Sequence, residues 1–218
     1  SSSPIETAIG VMESIYPDGV IDAPFLTNHD QRRLASVLGN DAGKNRVAAA
    51  ILLTLPGTPF LYYGEEVGIQ NGPTSGDESK RTPMPWTPNG GFTTGTPWFA
   101  HSPGIATANV ETQTSQSNSL LSRYRSLIHA RNRSAALQKG TIELLPSSPS
   151  TLSFLRRTPE ETVLVVHNLG DAINRTPNLP ITASSFETLF ADSAMPAGSS
   201  GSWTVTLPAR GVGIWKVR

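Results

Sequence analysis

The stretch that most constrains this chain is residues 23–31, Ala-Pro-Phe-Leu-Thr-Asn-His-Asp-Gln, where a short apolar run breaks into three consecutive polar side chains. Phe25, Leu26 and Thr27 suit a buried parallel strand. Asn28, His29 and Asp30 suit the loop at its carboxyl end, where α/β barrels and open sheets place their chemistry. The motif also has a plainer use, in which Asp30 caps a helix starting near Gln31 and His29 is satisfied locally. Residues 43–64 decide between the two. They read as an apolar helix from Lys44 to Leu55, a Pro56-Gly57 stop and a second short buried strand through Phe60, so the two segments form a strand–helix–strand unit.

Around this unit the pattern is helical as far as about residue 137. Ile5, Ala8, Ile9, Met12, Ile15 and Tyr16 recur at helical spacing until Pro17-Asp18-Gly19 stops them. Leu34, Val37 and Leu38 suggest a short helix before the Gly39–Gly43 break. A longer helix reads from about Ser117 to Asn132, with Leu120, Leu121, Tyr124, Leu127, Ile128 and Arg131 on one side. Between Val67 and Ala108 periodicity vanishes, yet Trp86, Phe92, Trp98 and Phe99 are interspersed. So long an irregular segment is usually functional or disordered, and its aromatics either anchor it or face a cleft.

After Lys139 short strand candidates take over: 141–145, 151–157, 162–168, 186–190, 202–207 and 212–217. Their alternation and β-branched content predict an antiparallel sandwich with Phe154, Val163, Val165, Trp203, Val205 and Trp215 in its core. The expected organisation is a domain over residues 1–137 and a second over 138–218.

Composition narrows the function classes. The 218 residues carry 17 acidic and 17 basic side chains without blocks, so nothing argues for capture of nucleic acid or of an anionic membrane. A neutral partner fits better. No cysteine is present, which excludes disulfides and thiolate chemistry. No apolar run approaches a membrane span, and the Ser1-Ser2-Ser3-Pro4 start lacks the basic and apolar parts of a signal peptide, so position 1 is expected to lie inside a longer chain. The Ser/Thr/Gly-rich, charge-poor character leans toward an extracellular or periplasmic location, with the cytoplasm not excluded.

Two motifs carry a family resemblance: Phe25-Leu26-Thr27-Asn28-His29-Asp30, and Gly57-Thr58-Pro59-Phe60-Leu61-Tyr62-Tyr63-Gly64-Glu65-Glu66 one helix later. In this order and separation they resemble the seventh and eighth βα units of the α-amylase family, glycoside hydrolase family 13. Arg81-Thr82-Pro83-Met84-Pro85-Trp86 is similar to a stretch in oligo-1,6-glucosidase-like and bacterial amylase-like members. The resemblance implies an α/β plus all-β chain: the carboxyl-terminal portion of a (β/α)8 TIM barrel followed by an antiparallel β-sandwich.

It also implies a retaining glycosidase acting on α-glucans or malto-oligosaccharides. Asp30 would be the carboxylate that stabilises the transition state, and His29, Asn28 and Arg81 would contact the sugar. An alternative for Arg81 is pairing with Asp77 or Glu78. No segment matches the motifs for the nucleophilic Asp and the acid/base Glu, and a full barrel takes about 250 residues. The chain alone is therefore expected to be inactive, its partner being the missing amino-terminal part of the same enzyme. Glu65 and Glu66 correspond to a non-catalytic position, with Gly64 marking a turn. No cofactor or metal is expected in this segment, although calcium is possible in the full-length enzyme. The competing class is a non-catalytic relative serving as a carbohydrate-binding or partner subunit.

Overall fold

The computed structural model describes residues 1–17 and 19–218; Asp18, part of the expected stop after the first helix, lies outside the described residues. The chain divides into two compact units. One comprises Ser1–Pro24, Leu53–Thr58 and Leu127–Arg218, the other Phe25–Leu52 and Pro59–Ser126. The expected boundary near Leu137 falls inside the first of these. No helix among the described residues is long and apolar enough to cross a membrane.

The described residues hold six α-helices: α1 Ser3–Ile15, α2 Leu34–Val37, α3 Ala42–Thr54, α4 Val110–Thr114, α5 Leu120–Asn132 and α6 Ala135–Lys139. Pro4 sits in the first turn of α1, where its missing N–H costs nothing. Along α1 only Ile9 is buried, while Ile15 and the following Val20 and Ile21 are exposed. By contrast α3 buries Val47, Ala49, Ala50, Leu52 and Leu53. The expected strands through Phe25 and Phe60 are reduced to one parallel bridge between those two residues. Both phenylalanines are about half exposed, at 47% and 59%. The expectation of buried strands therefore needs correction. Each segment pairs only with the other, and two strands do not make a sheet that can bury its own faces.

The all-β part of the first unit is antiparallel as expected, but the described residues form nine strands where six segments were expected: β1 Thr141–Leu144, β2 Thr151–Arg157, β3 Thr162–Asn168, β4 Asn174–Arg175, β5 Phe186–Ala191, β6 Ala197–Ser199, β7 Ser202–Thr204, β8 Thr206–Leu207 and β9 Val212–Val217. An antiparallel sheet in the order β1-β2-β3-β9-β5 faces two ribbons, β4-β8 and β6-β7. The predicted core residues are all buried, yet they belong to two different layers. Leu155, Leu164, Val166 and Trp215 pack against Leu179, Trp203, Val205 and Leu207 inside the sandwich. Because side chains alternate along a strand, Phe154, Val163 and Val165 point to the opposite face, and both faces of β2 and β3 are covered. Gly213 has to be glycine here, since a Cβ would lie 1.7 Å from the Trp215 ring.

Two buried arginines meet the carboxyl end of α3, Arg156 from that opposite face and Arg131 from α5. Arg156 donates to Thr54 O at 2.6 Å and Gly140 O at 2.7 Å. Arg131 donates to Leu53 O at 2.9 Å, Leu55 O at 3.0 Å and Gly57 O. Burial, reinforced by the Arg131 charge, pushes the Arg156 pKa down to about 9, which still leaves a cation at neutral pH.

Arg156→Met should destabilise the chain by about 2–4 kcal/mol, because buried carbonyls lose their donors. Urea denaturation measures this, and a loss below about 1 kcal/mol would mean those oxygens have other partners.

Candidate active site

In the second unit the parallel bridge at Phe25 and Phe60 sets two loops side by side. The first is Asn28-His29-Asp30. Asn28 Oδ1 accepts the Asp30 N–H at 2.9 Å, and Asn28 O accepts the Gln31 N–H at 3.2 Å, so Asn28 spends its carbonyl oxygens on a local turn. Asp30 caps no helix, since α2 begins only at Leu34 with Arg33 as its N-cap residue. The Asp30 and His29 side chains stand free of the surface, 66% and 64% exposed, with Nε2 of the imidazole 3.4 Å from Asp30 Oδ2.

Arg81 joins this loop from the irregular segment. Its Nη2 donates to Asp30 Oδ1 at 3.0 Å and lies 3.5 Å from Asp77 Oδ2, while its Nε donates to His29 O at 3.2 Å. Of the two readings of Arg81, the pairing with Asp77 is present, and the same guanidinium also meets Asp30. Lys80 completes the cluster, donating to Asp30 O at 3.0 Å and Asp77 Oδ1 at 2.9 Å. The hydrogen bond from Lys80, then the Lys80 and Arg81 charges, hold the Asp77 carboxyl below its usual range. His29, Asp30 and Arg81 therefore come together, with Asn28 beneath them as the turn former.

Arg33, Glu65 and Tyr124, to which sequence reasoning gave no role in the site, support it from below. Arg33 is buried, with its guanidinium carbon 4.4 Å from the ring centroids of both Tyr62 and Tyr63, and it donates to Tyr63 O at 2.5 Å. Its backbone N–H goes to Asn71 Oδ1 at 2.8 Å. The only available signal was its position three residues after Asp30, on the far side of the turn. Glu65 follows Gly64, whose φ of +81° and whose absent side chain, which would meet Ile69 at 1.9 Å, confirm the expected turn. Glu65 accepts the Tyr124 hydroxyl at 2.8 Å and the Thr27 hydroxyl at 3.4 Å, tying α5 to the residue just before Asn28. Burial raises its pKa to about 7, against the lowering effect of those two hydrogen bonds. Burial also raises the Glu66 pKa. No spacing rule links Thr27, Glu65 and Tyr124, so folding alone assembles them.

The loop tip beside the Phe25–Phe60 bridge thus brings together an exposed carboxylate, an imidazole and a guanidinium. Among the described residues, no group of three or more Asp, Glu and His side chains converges as metal ligands would. The comparisons with known proteins agree with the architecture. The family model described as the alpha amylase catalytic domain matches residues 5–140, and that of the maltogenic amylase C-terminal domain matches residues 142–214.

The chain is similar to alpha-amylase SusG of Bacteroides thetaiotaomicron, 33% identical over 205 residues, covering 88% of this chain and 28% of that protein. It is also similar to a trehalose synthase of Pimelobacter sp., 40% identical over 155 residues, 64% of this chain and 27% of that one. The crystal structure of alpha-amylase from H. orenii superposes with a TM-score of 0.82 at 32% identity, covering 98% of this chain and 43% of that one. The chain belongs to the α-amylase family, and its fold is the carboxyl-terminal portion of that family's (β/α)8 barrel followed by an antiparallel β-sandwich. It spans less than a third of the length of these two curated relatives.

The sign of the Glu65 effect is testable. The fold holds this proton to a higher pH than the unfolded chain, where the carboxyl titrates near 4.5. Its contribution to stability is therefore full below about 4.5 and is lost as pH rises through 7. Chemical denaturation between pH 4 and 8 should show a fall on the order of 2–3 kcal/mol in the native chain that Glu65→Gln removes. Parallel profiles for the two proteins would count against the assignment.

Proposed function

We propose that this chain is the carboxyl-terminal part of a retaining glycosidase that cleaves α-linked glucans or malto-oligosaccharides, and that Asp30 stabilises its transition state. The observation that carries the reading is the Asp30 carboxylate standing free at the loop tip, with Arg81 on one oxygen at 3.0 Å and His29 beside the other. Such a carboxylate suits the 2-OH and 3-OH of a glucose ring. Those hydroxyls become better donors as the ring gains cationic character, so the contact tightens along the reaction coordinate. The Arg81 guanidinium holds one carboxylate oxygen in place, leaving the other free to accept. His29, hydrogen-bonded by its backbone carbonyl to Arg81, offers a ring N–H to the same sugar.

Retaining hydrolysis needs a nucleophilic carboxylate and a carboxylic acid about 5–5.5 Å apart. The reading assigns both to a preceding part of the same enzyme, held against this one, and the chain alone is inactive. Support comes from the coverage of its relatives and from the open apolar surface at Phe25 and Phe60. The likeness to a trehalose synthase keeps one second reading, isomerisation or transfer in place of hydrolysis, which product analysis with maltose separates.

In the longer enzyme, Asp30→Asn should lower kcat by roughly 10²-fold or more with a much smaller change in KM, as expected for a contact made mainly in the transition state. A variant retaining most of its turnover on maltotetraose refutes the role. The 218-residue chain by itself should release no glucose from the same substrate.

A further inference from the structure

Asp77 and Lys80 touch the Asp30 loop, yet neither has a part in the reading of Asp30 as the transition-state carboxylate. Both come from the irregular segment, with Lys80 50 residues after Asp30. The turn that carries them is anchored from below. Glu78–Lys80 forms one 3-10 turn, in which Lys80 N–H donates to Asp77 O and Arg81 N–H to Glu78 O, each at 3.0 Å. Ser79 is buried, its carbonyl accepts Gly72 N–H at 2.6 Å, and its hydroxyl oxygen accepts from Asn71 Nδ2 at 3.3 Å. Lys80 O accepts the Tyr62 hydroxyl at 3.1 Å. Asp77, Lys80 and Arg81 thus reach the loop from a fixed base.

Each cation of this turn is held at two carboxylate-bearing residues. Lys80 Nζ donates to Asp77 Oδ1 at 2.9 Å and to Asp30 O at 3.0 Å, with its side chain only 21% exposed. Arg81 Nη2 donates to Asp30 Oδ1 at 3.0 Å and lies 3.5 Å from Asp77 Oδ2. Asp77 therefore receives one cation on each oxygen, and each of those cations also reaches Asp30, one at the backbone and one at the carboxylate. Asp77 itself is 61% exposed, so these pairs add little to stability.

We propose that Asp77 and Lys80 are positioning residues for Asp30: Lys80 fixes the backbone of the loop, and Asp77 holds Lys80 and Arg81 at the spacing that aims the Asp30 carboxylate. This deepens, and rests on, the reading of Asp30 as the group that stabilises the transition state. A contact made mainly in the transition state has to be aimed to within about 0.5 Å, and an exposed loop has no packing to aim it. Two cations tied to one shared anion replace that packing. Asp77 also restrains Arg81 from closing on Asp30 as a two-pronged pair, the arrangement a guanidinium favours with a carboxylate. Asp30 Oδ2, with only His29 beside it at 3.4 Å, stays open to a sugar hydroxyl.

The test uses the longer enzyme with two readouts. Hydrogen–deuterium exchange follows the loop, where Asp30 N–H and Gln31 N–H bond to Asn28. Exchange there should quicken roughly tenfold in Asp77→Asn and in Lys80→Met, with the urea midpoint of the whole protein unchanged. Turnover of maltotetraose follows the aim. Each variant should lose about tenfold in kcat with little change in KM, and Lys80→Arg should recover most of it. On an Asp30→Asn background the same substitutions should cost nothing further, because they act through that carboxylate. Unchanged exchange at the loop, a fallen urea midpoint, or an undiminished kcat loss on the Asp30→Asn background overturns the proposal. Faster exchange confined to the loop supports it even if the longer enzyme cleaves no glucan, an outcome that would sink the enzymatic reading alone.

Discussion

The carboxyl end of α3 is the point on which the first unit is built. The last turn of any helix leaves carbonyl oxygens without intrahelical partners, and here that end is buried. Arg131 and Arg156 meet those oxygens with charge-assisted donors, and the Thr54 hydroxyl lies 3.2 Å from His167 Nε2. Placing cations at this end also suits the helix dipole. The segment then turns at Gly57, whose φ is +88° and where a Cβ would strike Asp22 O at 2.4 Å, and Thr58 N–H donates to that same carbonyl at 2.8 Å. Asp22 and Thr58 are thus held side by side by a backbone hydrogen bond.

Burial separates the groups that hold the fold from the groups free to act. The arginines that stabilise are buried against carbonyls, whereas the charges around Asp30 are largely in water, where an ion pair is worth at most about 1 kcal/mol. Arg81, Lys80, Asp77, His29 and Asp30 therefore form a cluster with little value to stability, which is what leaves it available to a ligand. Beneath it, Arg33 against Tyr62 and Tyr63, and Glu65 between Thr27 and Tyr124, supply the rigidity that the exposed groups lack.

Much of the architecture was legible. The α3 pattern, the Gly64 turn, the α5 pattern and the strand segments after Lys139 all follow local rules, and β2, β3 and β9 match the expected ranges residue for residue. The two small strands β4 and β6 carried no such signal, being two and three residues long. The Phe25 and Phe60 segments failed as strands because pairing is not a local property.

The linear order of residues by itself determined most of the helices and the longer strands after Lys139, and that Asn28, His29 and Asp30 follow an apolar run, since hydrophobic period, proline, glycine and turn chemistry act over a few neighbours. Only the tertiary structure decided that Arg81 reaches Asp30 from 51 residues away and that Phe154 and Trp215 serve opposite faces of one sheet. It also decided that Glu65 takes its partners from 38 residues before it and 59 after. Those outcomes depend on which distant backbones pack together, and no local pattern encodes the burial that makes each contact strong.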